Sequence, residues 1–295
     1  MTPDDGDGFV YCERGHRHWG TYGAAGLLLT DPERGVLLQH RAWWTHHGET
    51  WALPGGARRG HESARDAATR EAEEEAAVPV GAVRPIAESV ADHGGWSYTT
   101  VLANARHTVR ERVVNEESAE LRWVPPDEVG SFPLHADFAA AWPGLHAQLG
   151  RELVLVIDAA NVVGSRPDGW WRDRAGAAER LRERLSGLVH EGVRSVDIGL
   201  AGAEWSWWPR VQMVVEGRAR GLLDTLPADA DGAVEVIAAV RDGDTQIVES
   251  VRKARDARPR DHVVVVTADR ELRNRVEAEG ACVLGPATLL NLVPD

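Results

Sequence analysis

Cysteine is scarce in this chain of 295 residues, in which Cys12 and Cys282 are the only two. They lie far apart and neither belongs to a C-x-x-C pair, which argues against a disulfide framework. No apolar run reaches the roughly 18 residues of a membrane-spanning helix, and the first residues, MTPDDGDGF, are acidic where a signal peptide is basic. We therefore expect a cytoplasmic protein with reduced thiols and no membrane partner.

Basic residues are outnumbered, since the formal net charge is -13 and lysine occurs once, at Lys253. Residues 1–150 hold 22 acidic and 13 basic residues (net -9), and residues 151–295 hold 24 and 20 (net -4). Tight binding of a long nucleic acid normally depends on basic groups that displace counterions from many phosphates. The charge balance argues against such a partner and leaves a small, metal-bound phosphate compound open as the ligand.

The first half of the chain contains strand-like runs around one helix. YGAAGLLLT and VLLQHRA, separated by the turn DPERG, predict a hairpin. The alanine-rich segment from about Ser63 to Ala77 predicts a helix that ends before Pro79. WSYTTVLANA and AELRWV predict further strands and HADFAAAWPGLHAQL a second helix, which together indicate an α+β domain.

The pattern changes near Gly150, where we place a domain boundary. ELVLVIDAAN, RVQMVVEG, AVEVIAAVRDGD and DHVVVVTADRE are short apolar runs, and they alternate with helical stretches such as AGAAERLRERLSGLV and TQIVESVRKARD. Runs that are apolar on both faces and followed by a helix predict an α/β domain with a parallel sheet covered on both sides. The chain therefore divides into two predicted domains, residues 1–150 and 151–295.

Four glutamates occupy the end of the first predicted helix, in the run EAEEE. Each helical residue advances about 100°, so Glu71 and Glu75 share one face with Glu74 beside them, while Glu73 points elsewhere. Like charges at this spacing cost about 0.2–0.5 kcal/mol per pair, and they lie at the negative end of the helix dipole. Arg70 neutralises only part of this charge. A set of oxygen ligands suits Mg²⁺ or Mn²⁺ rather than zinc, and the alternative is a solvated acidic face.

The spacing of residues around these glutamates resembles the Nudix box, the signature of a family that hydrolyses nucleoside diphosphates linked to another moiety. The matching residues are Gly56, Glu62, Arg70, Glu71, Glu74 and Glu75. The preceding LPGG and the strand pair also fit that family. Two positions depart from its pattern. Ala77 stands where the family has glycine, the residue that ordinarily takes a left-handed helix cap, and Ala72 is smaller than the usual aliphatic residue.

The resemblance implies that residues of about 18–149 form a Nudix α/β/α sandwich with a mixed sheet. It implies Mg²⁺ or Mn²⁺ as the cofactor, and the implied ligands are Glu71, Glu74, Glu75 and the carbonyl of Gly55. Glu62 and Arg70 would brace the loop against the helix. The implied reaction is hydrolysis of a pyrophosphate, in which the ion shields the phosphate oxygens and lowers the pKa of the attacking water while a carboxylate takes the proton.

A further ligand or base outside the box varies among members of the family, so the sequence leaves its identity open. NEESAE supplies Glu117 and Glu120, which we favour over Asp92, with a solvated loop as the alternative. Trp96 and Tyr98 alternate onto one strand face and are candidates to stack on a nucleotide base, with core packing as the alternative.

Some Nudix pyrophosphatases carry an N-terminal zinc ribbon, and the segment CERGHRH contains Cys12, His16 and His18. The paired C-x-x-C knuckles of a zinc ribbon are absent from the sequence. We therefore do not predict zinc here.

Tryptophan is the dominant aromatic residue, with twelve against three tyrosines and three phenylalanines. The clustered ones are Trp43 with Trp44, Trp170 with Trp171, and Trp205 with Trp207 and Trp208. We expect most of them to fill the cores, and we take the last group, in AEWSWWPR, as the best candidate for a partly exposed binding site.

Acidic residues follow the strands of the second predicted domain. Asp158 ends one strand with Asn161 just after it, and Asp269 follows another. The carboxyl ends of parallel strands form the crevice in which ligands bind. Asp244, which opens a predicted helix, and Glu249 within it could complete a metal site, with helix capping as the alternative for Asp244.

This half resembles the NYN and PIN-like nuclease domains, which are doubly wound parallel sheets whose acidic residues at strand ends hold Mg²⁺ for RNA cleavage. The resemblance implies RNA as a candidate partner, against which the mild negative charge argues.

The sequence as a whole predicts a Mg²⁺-dependent Nudix pyrophosphohydrolase fused to an NYN/PIN-like domain. Its predicted substrate is a nucleoside triphosphate, such as an oxidised dNTP, or another nucleotide derivative. Two alternatives stay open: a nucleotide-sensing scaffold that binds without turnover, and a two-domain RNA-processing enzyme that hydrolyses a 5′ end and cuts the chain. The oligomeric state is not encoded in any pattern that we recognise.

Overall fold

The computed structural model describes residues 5–166, 169–226 and 234–293. Within these ranges, no helix combines the length and the apolar character that crossing a membrane requires. Contacts between Cα atoms divide the chain into two compact units, residues 1–150 and 151–295.

The first unit consists of short and long strands with two α-helices. Its strands are β1 Phe9–Tyr11, β2 Arg17–Trp19, β3 Ala24–Asp31, β4 Gly35–Arg41, β5 Trp51–Ala52, β6 Gly55–Ala57, β7 Val83–Asp92, β8 Ser97–Ala105 and β9 Ser118–Val124, and its helices are α1 Ala64–Ala76 and α2 Ala136–Gln148. Short 3-10 helices span Val80–Ala82 and Pro126–Ser131. The predicted hairpin (β3 and β4), the two further strands (β8 and β9) and both helices are confirmed.

A mixed sheet with the strand order β7-β8-β3-β4-β5 runs through this unit. β3 is parallel to β8 and antiparallel to β4, which confirms the predicted mixed sheet. The edge of β3 that faces β4 is shared: Thr30 and Asp31 pair with β4, whereas Ala24 to Gly26 pair with β6. α1 packs against β3, β6 and β8 through fully buried alanines such as Ala68 and Ala72. Small side chains on this face let the helix lie close to the sheet, which brings its glutamates near β6.

Several strands of the first unit, including β1, β2 and β7, have no counterpart in the sequence prediction. β7 contains Pro85, which cannot donate a ladder hydrogen bond, and the register shifts between Pro85 and Ala87. β1 and β2 pair antiparallel over three residues each, which is too short for a periodic pattern. Proline and short length therefore hide these strands in the sequence.

The second unit alternates strands and helices. Its strands are β10 Leu153–Asp158, β11 Val193–Arg194, β12 Trp205–Trp207, β13 Arg210–Val215, β14 Val234–Ala238, β15 His262–Val266 and β16 Cys282–Leu284, and its helices are α3 Ala159–Gly164, α4 Arg174–Glu191, α5 Gly243–Ala257, α6 Arg270–Ala278 and α7 Pro286–Leu292. Short 3-10 helices span Ser195–Ile198 and Gly217–Asp224. Ala233, at the start of one predicted strand, lies outside the described residues.

A parallel sheet with the order β14-β13-β10-β15-β16 forms the core of this unit, which confirms the predicted parallel sheet. Val154 and Val156 of the central strand β10 pack with Val248 of α5 and Leu272 of α6. Leu155 alternates to the opposite face and is also fully buried. The chain adds β13 and β14 on one side of β10 and then crosses to add β15 on the other.

Two of the three tryptophans of AEWSWWPR do not belong to the partly exposed site expected from the sequence. Trp205 and Trp207 lie on the same face of β12 and are buried, Trp207 being 2% exposed. Their ring centroids are 5.8 Å apart, and Trp207 Nε1 donates a hydrogen bond to Ser195 Oγ at 2.9 Å. The expectation was wrong for these two residues because strand alternation turns both rings inward, whereas Trp208 is partly exposed. Trp43 is the most exposed of the described tryptophans, at 77%.

Candidate active site

α1 carries the predicted catalytic glutamates, and local interactions define both of its ends. The Ser63 hydroxyl accepts a hydrogen bond from the N–H of Asp66 at 3.1 Å and so caps the first turn. At the other end Ala77 is left-handed, with φ 55°, and its N–H donates to the carbonyl of Glu73 at 3.1 Å. The helix therefore ends as a glycine-capped helix does, at a cost of about 1–2 kcal/mol for the Cβ atom of Ala77.

Glu75 lies on the inner face of α1 and is only 4% exposed. Its Oε2 accepts a hydrogen bond from the N–H of Gly55 at 2.9 Å, and the side chain of Gln39 also hydrogen-bonds the carboxylate. Burial raises the pKa of Glu75 to about 7, the Gly55 hydrogen bond offsets part of that rise, and the charges of Glu71 and Glu117 add to it. Such a carboxylate gains from a nearby cation and exchanges its proton near neutral pH.

Glu71 extends over Gly56, and the missing side chain of that glycine provides the space. A Cβ atom at Gly56 would lie 2.7 Å from the Glu71 carboxylate. Burial raises the pKa of Glu71, the interaction with Arg70 lowers it, and the charge of Glu74 raises it further. Gly56 is therefore required at this position to accommodate a half-buried carboxylate.

The Arg70 guanidinium connects the loop before α1 to the helix. Its Nε and Nη2 donate to the two oxygens of Glu62 at 2.8 and 2.9 Å, and Nη2 also donates to the carbonyl of Ala57 at 3.0 Å. Nη1 donates to Glu71 at 2.7 Å and to Glu74 at 3.0 Å. Burial alone would raise the pKa of Glu62, but the hydrogen bonds from Arg70 hold it below its usual value. The contacts of Glu62 and Arg70 are those expected of a bracing pair.

The loop glutamates proposed as an extra ligand or base occupy different environments. Glu117 is exposed, and its negative charge acts on Glu75. Glu120 on β9 forms an ion pair with Arg122 at 2.5 Å. Asp92 accepts a backbone hydrogen bond in the turn after β7. Of the three, Glu117 is the one whose charge is among the causes that raise the pKa of Glu75.

Trp96 and Tyr98, the predicted stacking residues, both contact other protein groups. The ring of Trp96 stacks on His18 with centroids 4.0 Å apart, and its Nε1 donates to a backbone carbonyl at 2.9 Å. Tyr98 is partly buried with its hydroxyl against Gly26, and burial together with the charge of Glu75 raises the pKa of that hydroxyl. Tyr98 therefore lies in the neighbourhood of the glutamates, while Trp96 packs in a histidine cluster.

The sequence did not predict Gln39 or an exposed Trp43 beside these carboxylates. Gln39, a lone amide in the apolar strand VLLQHR, donates from Nε2 to Ser118 Oγ at 2.6 Å, and its Oε1 has no hydrogen-bond partner among the described residues. Trp43 is exposed in the loop after β4, and this loop meets Glu117 where the N–H of Ala42 donates to the Glu117 carbonyl at 2.8 Å. The polar residue in an apolar run was the available signal for Gln39.

In the second unit, Asp158 ends the central strand β10 and is 7% exposed. Its Oδ1 accepts a hydrogen bond from the N–H of Asn161 at 3.0 Å, and its Oδ2 accepts one from Thr267 Oγ1 at 2.9 Å. Burial raises the pKa of Asp158, and these hydrogen bonds oppose the rise. Asn161 Oδ1 accepts from the N–H of Ala268 at 3.2 Å. The ends of β10 and β15 are thereby joined at the point where the strand order reverses, a common ligand position in such sheets.

Asp244 and Asp269 lie at the same edge of this sheet. Burial raises the pKa of Asp244, and so do the negative charges of Asp269 and Asp158. The capping alternative for Asp244 is wrong, because Asp242 caps α5 by accepting a first-turn N–H at 2.8 Å. Asp269 itself caps α6 through a 2.8 Å hydrogen bond from the N–H of Leu272.

Glu249 does not join these carboxylates, contrary to the sequence expectation. It forms an ion pair with Lys253 one turn later, at 2.8 Å, on the exposed side of α5. Glu216, which follows β13 and was not predicted, is close enough to raise the pKa of Asp158, and its Oε2 accepts the N–H of Gly243 at 2.8 Å.

The groups at the end of α1 suit a hard divalent cation. Glu71, Glu74 and Glu75 present only oxygen atoms, and burial raises the pKa of Glu71 and Glu75. Mg²⁺ and Mn²⁺ prefer such ligands. Gly56 contributes by leaving the space that the Glu71 carboxylate occupies.

Comparison with known proteins places these residues in a family. Residues 21–144 match the family model described as the NUDIX domain. A Mycobacterium tuberculosis protein named as 8-oxo-dGTP diphosphatase 3 is 48% identical over 151 residues, which are 48% of this chain and 69% of that protein. A Bifidobacterium longum protein, named nucleoside triphosphate pyrophosphatase/Nudix hydrolase fusion protein, is 42% identical over 152 residues, 49% of this chain and 32% of its own length. The crystal structure of RenU, a Nudix hydrolase from M. smegmatis, is 49% identical to this chain with a TM-score of 0.44. The match covers 48% of this chain and 92% of RenU.

The identity to the M. tuberculosis protein is 48% and extends over 69% of that protein. The residues that match the Nudix box lie within the matched range, residues 21–144. The chain therefore belongs to the Nudix family and is a hydrolase of phosphoanhydride bonds.

Proposed function

We propose that residues 1–150 form a Mg²⁺-dependent Nudix pyrophosphohydrolase domain, also active with Mn²⁺, that cleaves a nucleoside diphosphate-linked substrate. The observation that carries this proposal is the carboxylate of Glu75, 4% exposed, with the charge of Glu71 close enough to raise its pKa. Two adjoining carboxylates withdrawn from water are costly, and a divalent cation between them offsets that cost.

The ligands that would hold the ion are Glu71, Glu74, Glu75 and the carbonyl of Gly55. Support comes from the N–H of Gly55, which orients Glu75, and from Gly56, which leaves room for Glu71. When bound, the ion supplies positive charge that shields the phosphate oxygens and lowers the pKa of the attacking water.

Arg70 and Glu62 join α1 to the loop before it through two charge-assisted hydrogen bonds. This contact holds the proposed metal ligands in position before the ion binds. Glu117 is our first candidate to take the proton of the attacking water, since its charge already reaches Glu75. Glu120, which is paired with Arg122, is the second.

An oxidised deoxynucleoside triphosphate such as 8-oxo-dGTP is our first candidate substrate, because a relative with 48% identity bears that name. Trp43 and Trp44 are exposed in the loop that meets Glu117 and can stack on the base. Tyr98 lies near Glu75 and is a second contact, whereas Trp96 is already stacked on His18. Cleavage would release a nucleoside monophosphate.

Hydrolysis of a substrate panel by the full-length protein tests this function. The panel contains nucleoside and deoxynucleoside triphosphates, 8-oxo-dGTP, dinucleotides and nucleotide sugars. We expect Mg²⁺-dependent release of a nucleoside monophosphate that is lost in Glu75→Gln and kept in Glu73→Gln, which changes an exposed glutamate of the same helix. Unchanged hydrolysis by Glu75→Gln would refute the metal assignment, and tight nucleotide binding without turnover would identify a nucleotide-sensing scaffold instead.

For residues 151–295 we propose an NYN/PIN-like domain that cuts RNA, with Mg²⁺ held by Asp158, Asn161, Asp244 and Asp269. The proposal is supported by the charges of Asp158 and Asp269, which both raise the pKa of Asp244 at the edge where the strand order reverses. Labelled RNA incubated with the intact protein should be cleaved, and Asp158→Asn should stop cleavage while Glu75→Gln leaves it unchanged. Failure of the intact protein to cut RNA would remove both this activity and the two-domain RNA-processing alternative.

A further inference from the structure

The β1–β2 hairpin places three potential metal ligands on one of its faces. Val10 pairs with His18, and beyond the paired residues the N–H of Cys12 donates to the carbonyl of His16 at 3.0 Å. Cys12 therefore lies opposite His16. His18 follows His16 by two residues, the spacing at which strand side chains return to the same face.

His93 reaches the same place from the turn between β7 and β8. Two hydrogen bonds join this turn to the hairpin: the N–H of Glu13 donates to the carbonyl of Gly94 at 2.9 Å, and Arg14 Nη2 donates to the carbonyl of Asp92 at 3.1 Å. The fourth side chain is thus brought to the hairpin by one backbone and one side-chain hydrogen bond, and neither involves the side chains of the cluster.

The four side chains converge to a distance that a metal ion can span. One ligand atom from each of Cys12, His16, His18 and His93 lies within 4.8 Å of the other three. A tetrahedral Zn²⁺ with bonds of about 2.0–2.3 Å separates its ligand atoms by about 3.3–3.8 Å. A contraction of about 1 Å would therefore complete the coordination.

Two ring nitrogens in this cluster are buried without a partner. His18 Nε2 and His93 Nδ1 have no hydrogen-bond partner among the described residues, and the two rings are in contact with centroids 4.7 Å apart. A buried polar atom without a hydrogen-bond partner is unfavourable, and a bound cation would provide a partner for both nitrogens.

We propose that Cys12, His16, His18 and His93 bind one Zn²⁺ ion in a closed structural site. A thiolate with three imidazoles selects Zn²⁺ and not the Mg²⁺ proposed at α1, so the two ions do not compete. Four protein ligands leave no position open for a substrate. The ion fastens the hairpin to the turn after β7, next to the stacked rings of His18 and Trp96. Since these ligands come from one hairpin and one distant turn, the missing C-x-x-C knuckles do not exclude the site.

Metal content and cobalt substitution test the site in the full-length protein. We expect the purified protein to contain zinc at one ion per chain by mass spectrometry. After removal of zinc with a chelator, one equivalent of Co²⁺ should give the visible bands of a tetrahedral site and a thiolate charge-transfer band. His16→Ala changes an exposed residue and should lower metal affinity by about tenfold or more, and Cys12→Ser should lose the charge-transfer band. His107→Ala, at an exposed histidine outside the cluster, is the control and should bind as the wild type does.

The proposal is overturned if the protein contains no zinc and its Co²⁺ spectrum is octahedral. It is also overturned if the tetrahedral spectrum persists in both His16→Ala and His93→Ala. Circular dichroism of each variant establishes that it is folded, and Zn²⁺ binding that survives an excess of Mg²⁺ separates this site from the carboxylates of α1.

Discussion

The N–H of Gly55 donates a hydrogen bond to Glu75 Oε2 at 2.9 Å, and Gly55 is itself paired with Gly26 on the central strand β3. The buried carboxylate is therefore held from the sheet as well as from its own helix. Its pKa of about 7 shows that these contacts only partly compensate for the loss of water. The two contacts fix the position of the carboxylate in the fold.

Without added Mg²⁺, the stability of the protein should fall as the pH rises through about 7. The pKa of Glu75 is about 7 in the fold against an ordinary value of 4.5, so the folded state holds the proton more tightly. The stability gained from that proton is complete below pH 4.5 and is lost as the pH passes through about 7. Urea unfolding from about pH 5 to about pH 8 measures the loss, which should reach about 3 kcal/mol and be absent in Glu75→Gln.

Saturating Mg²⁺ should restore stability at the upper end of this pH range, because it favours the ionised carboxylate. Glu73→Gln, on the exposed face of α1, should follow the wild type. A wild-type curve as flat as that of Glu75→Gln would contradict the raised pKa.

Gly56→Ala should impair catalysis more than folding, and Gly55→Ala should do the reverse. The Cβ atom at position 56 meets the end of the Glu71 side chain, which can move, whereas at position 55 it meets the backbone of Ala25 and Gly26 at 2.5 Å. We expect Gly56→Ala to lower kcat/KM by about 10–100-fold with little change in Tm. Gly55→Ala should lower the free energy of unfolding by about 2–3 kcal/mol. Equal loss of stability in the two variants would show that Gly56 has no special relation to Glu71.

Ala77→Gly should stabilise the protein by about 1 kcal/mol, since glycine adopts the left-handed conformation without the Cβ clash that alanine has at φ 55°. The same change one residue earlier, Ala76→Gly, lies in the regular part of α1 and should destabilise by about 1 kcal/mol or more. Denaturant unfolding of the two variants gives both values. If both are destabilised alike, the left-handed cap is not under strain.

Glu117→Gln should reduce kcat by about 100-fold or more, and Glu120→Gln by no more than about threefold. The charge of Glu117 acts on Glu75, while Glu120 is paired with Arg122, and loss of a general base typically costs 10²–10⁴ in rate. Steady-state kinetics over a range of pH measures both effects. The opposite ranking would assign the role to Glu120.

Arg70→Lys should destabilise the loop before α1, although it preserves the charge. A lysine cannot donate to both oxygens of Glu62 and also to the carbonyl of Ala57, as the guanidinium does. We expect a loss of about 2 kcal/mol in unfolding free energy together with weaker Mg²⁺ activation. Arg59→Lys, whose side chain is half exposed and 3.6 Å from Glu74, should have a small effect and is the control. Equal effects in the two variants would mean that the several hydrogen bonds donated by the Arg70 guanidinium are unimportant.

The sequence predicts the regular parts of the fold because each carries its own local signal. Ser63 marks the start of α1, and the apolar runs at β10 and β15 are typical of parallel strands. β7 escapes prediction because Pro85 contradicts a strand, and its bulge becomes visible only when β8 is paired with it. Local sequence patterns predict most strands and helices, but a strand such as β7 is recognised only through its pairing with a neighbouring strand.

The residues of the candidate sites also fall into two groups, those predicted from local sequence and those found only in the structure. The shared helix face of Glu71 and Glu75 follows from helical spacing, whereas Gln39 and His93 reach their clusters through contacts distant in sequence. Two aspartates two residues apart, Asp242 and Asp244, both suit a helix start by residue type, and only the hydrogen bond to the first-turn N–H distinguishes them. The sequence therefore shows which residue types are available for a site, whereas their contacts depend on the tertiary structure.

Because Asp242 caps α5 and Asp244 does not, the substitution Asp244→Asn is informative. Helix initiation rests on Asp242, so an isosteric amide at position 244 removes a formal charge without unwinding the first turn. If Asp244→Asn loses the RNA cleavage proposed for this unit, the loss would be due to the missing charge at the strand ends. In Asp242→Asn, by contrast, a loss would be due to a weakened helix start. Two aspartates separated by a single glycine thus allow chemistry and folding to be dissected independently.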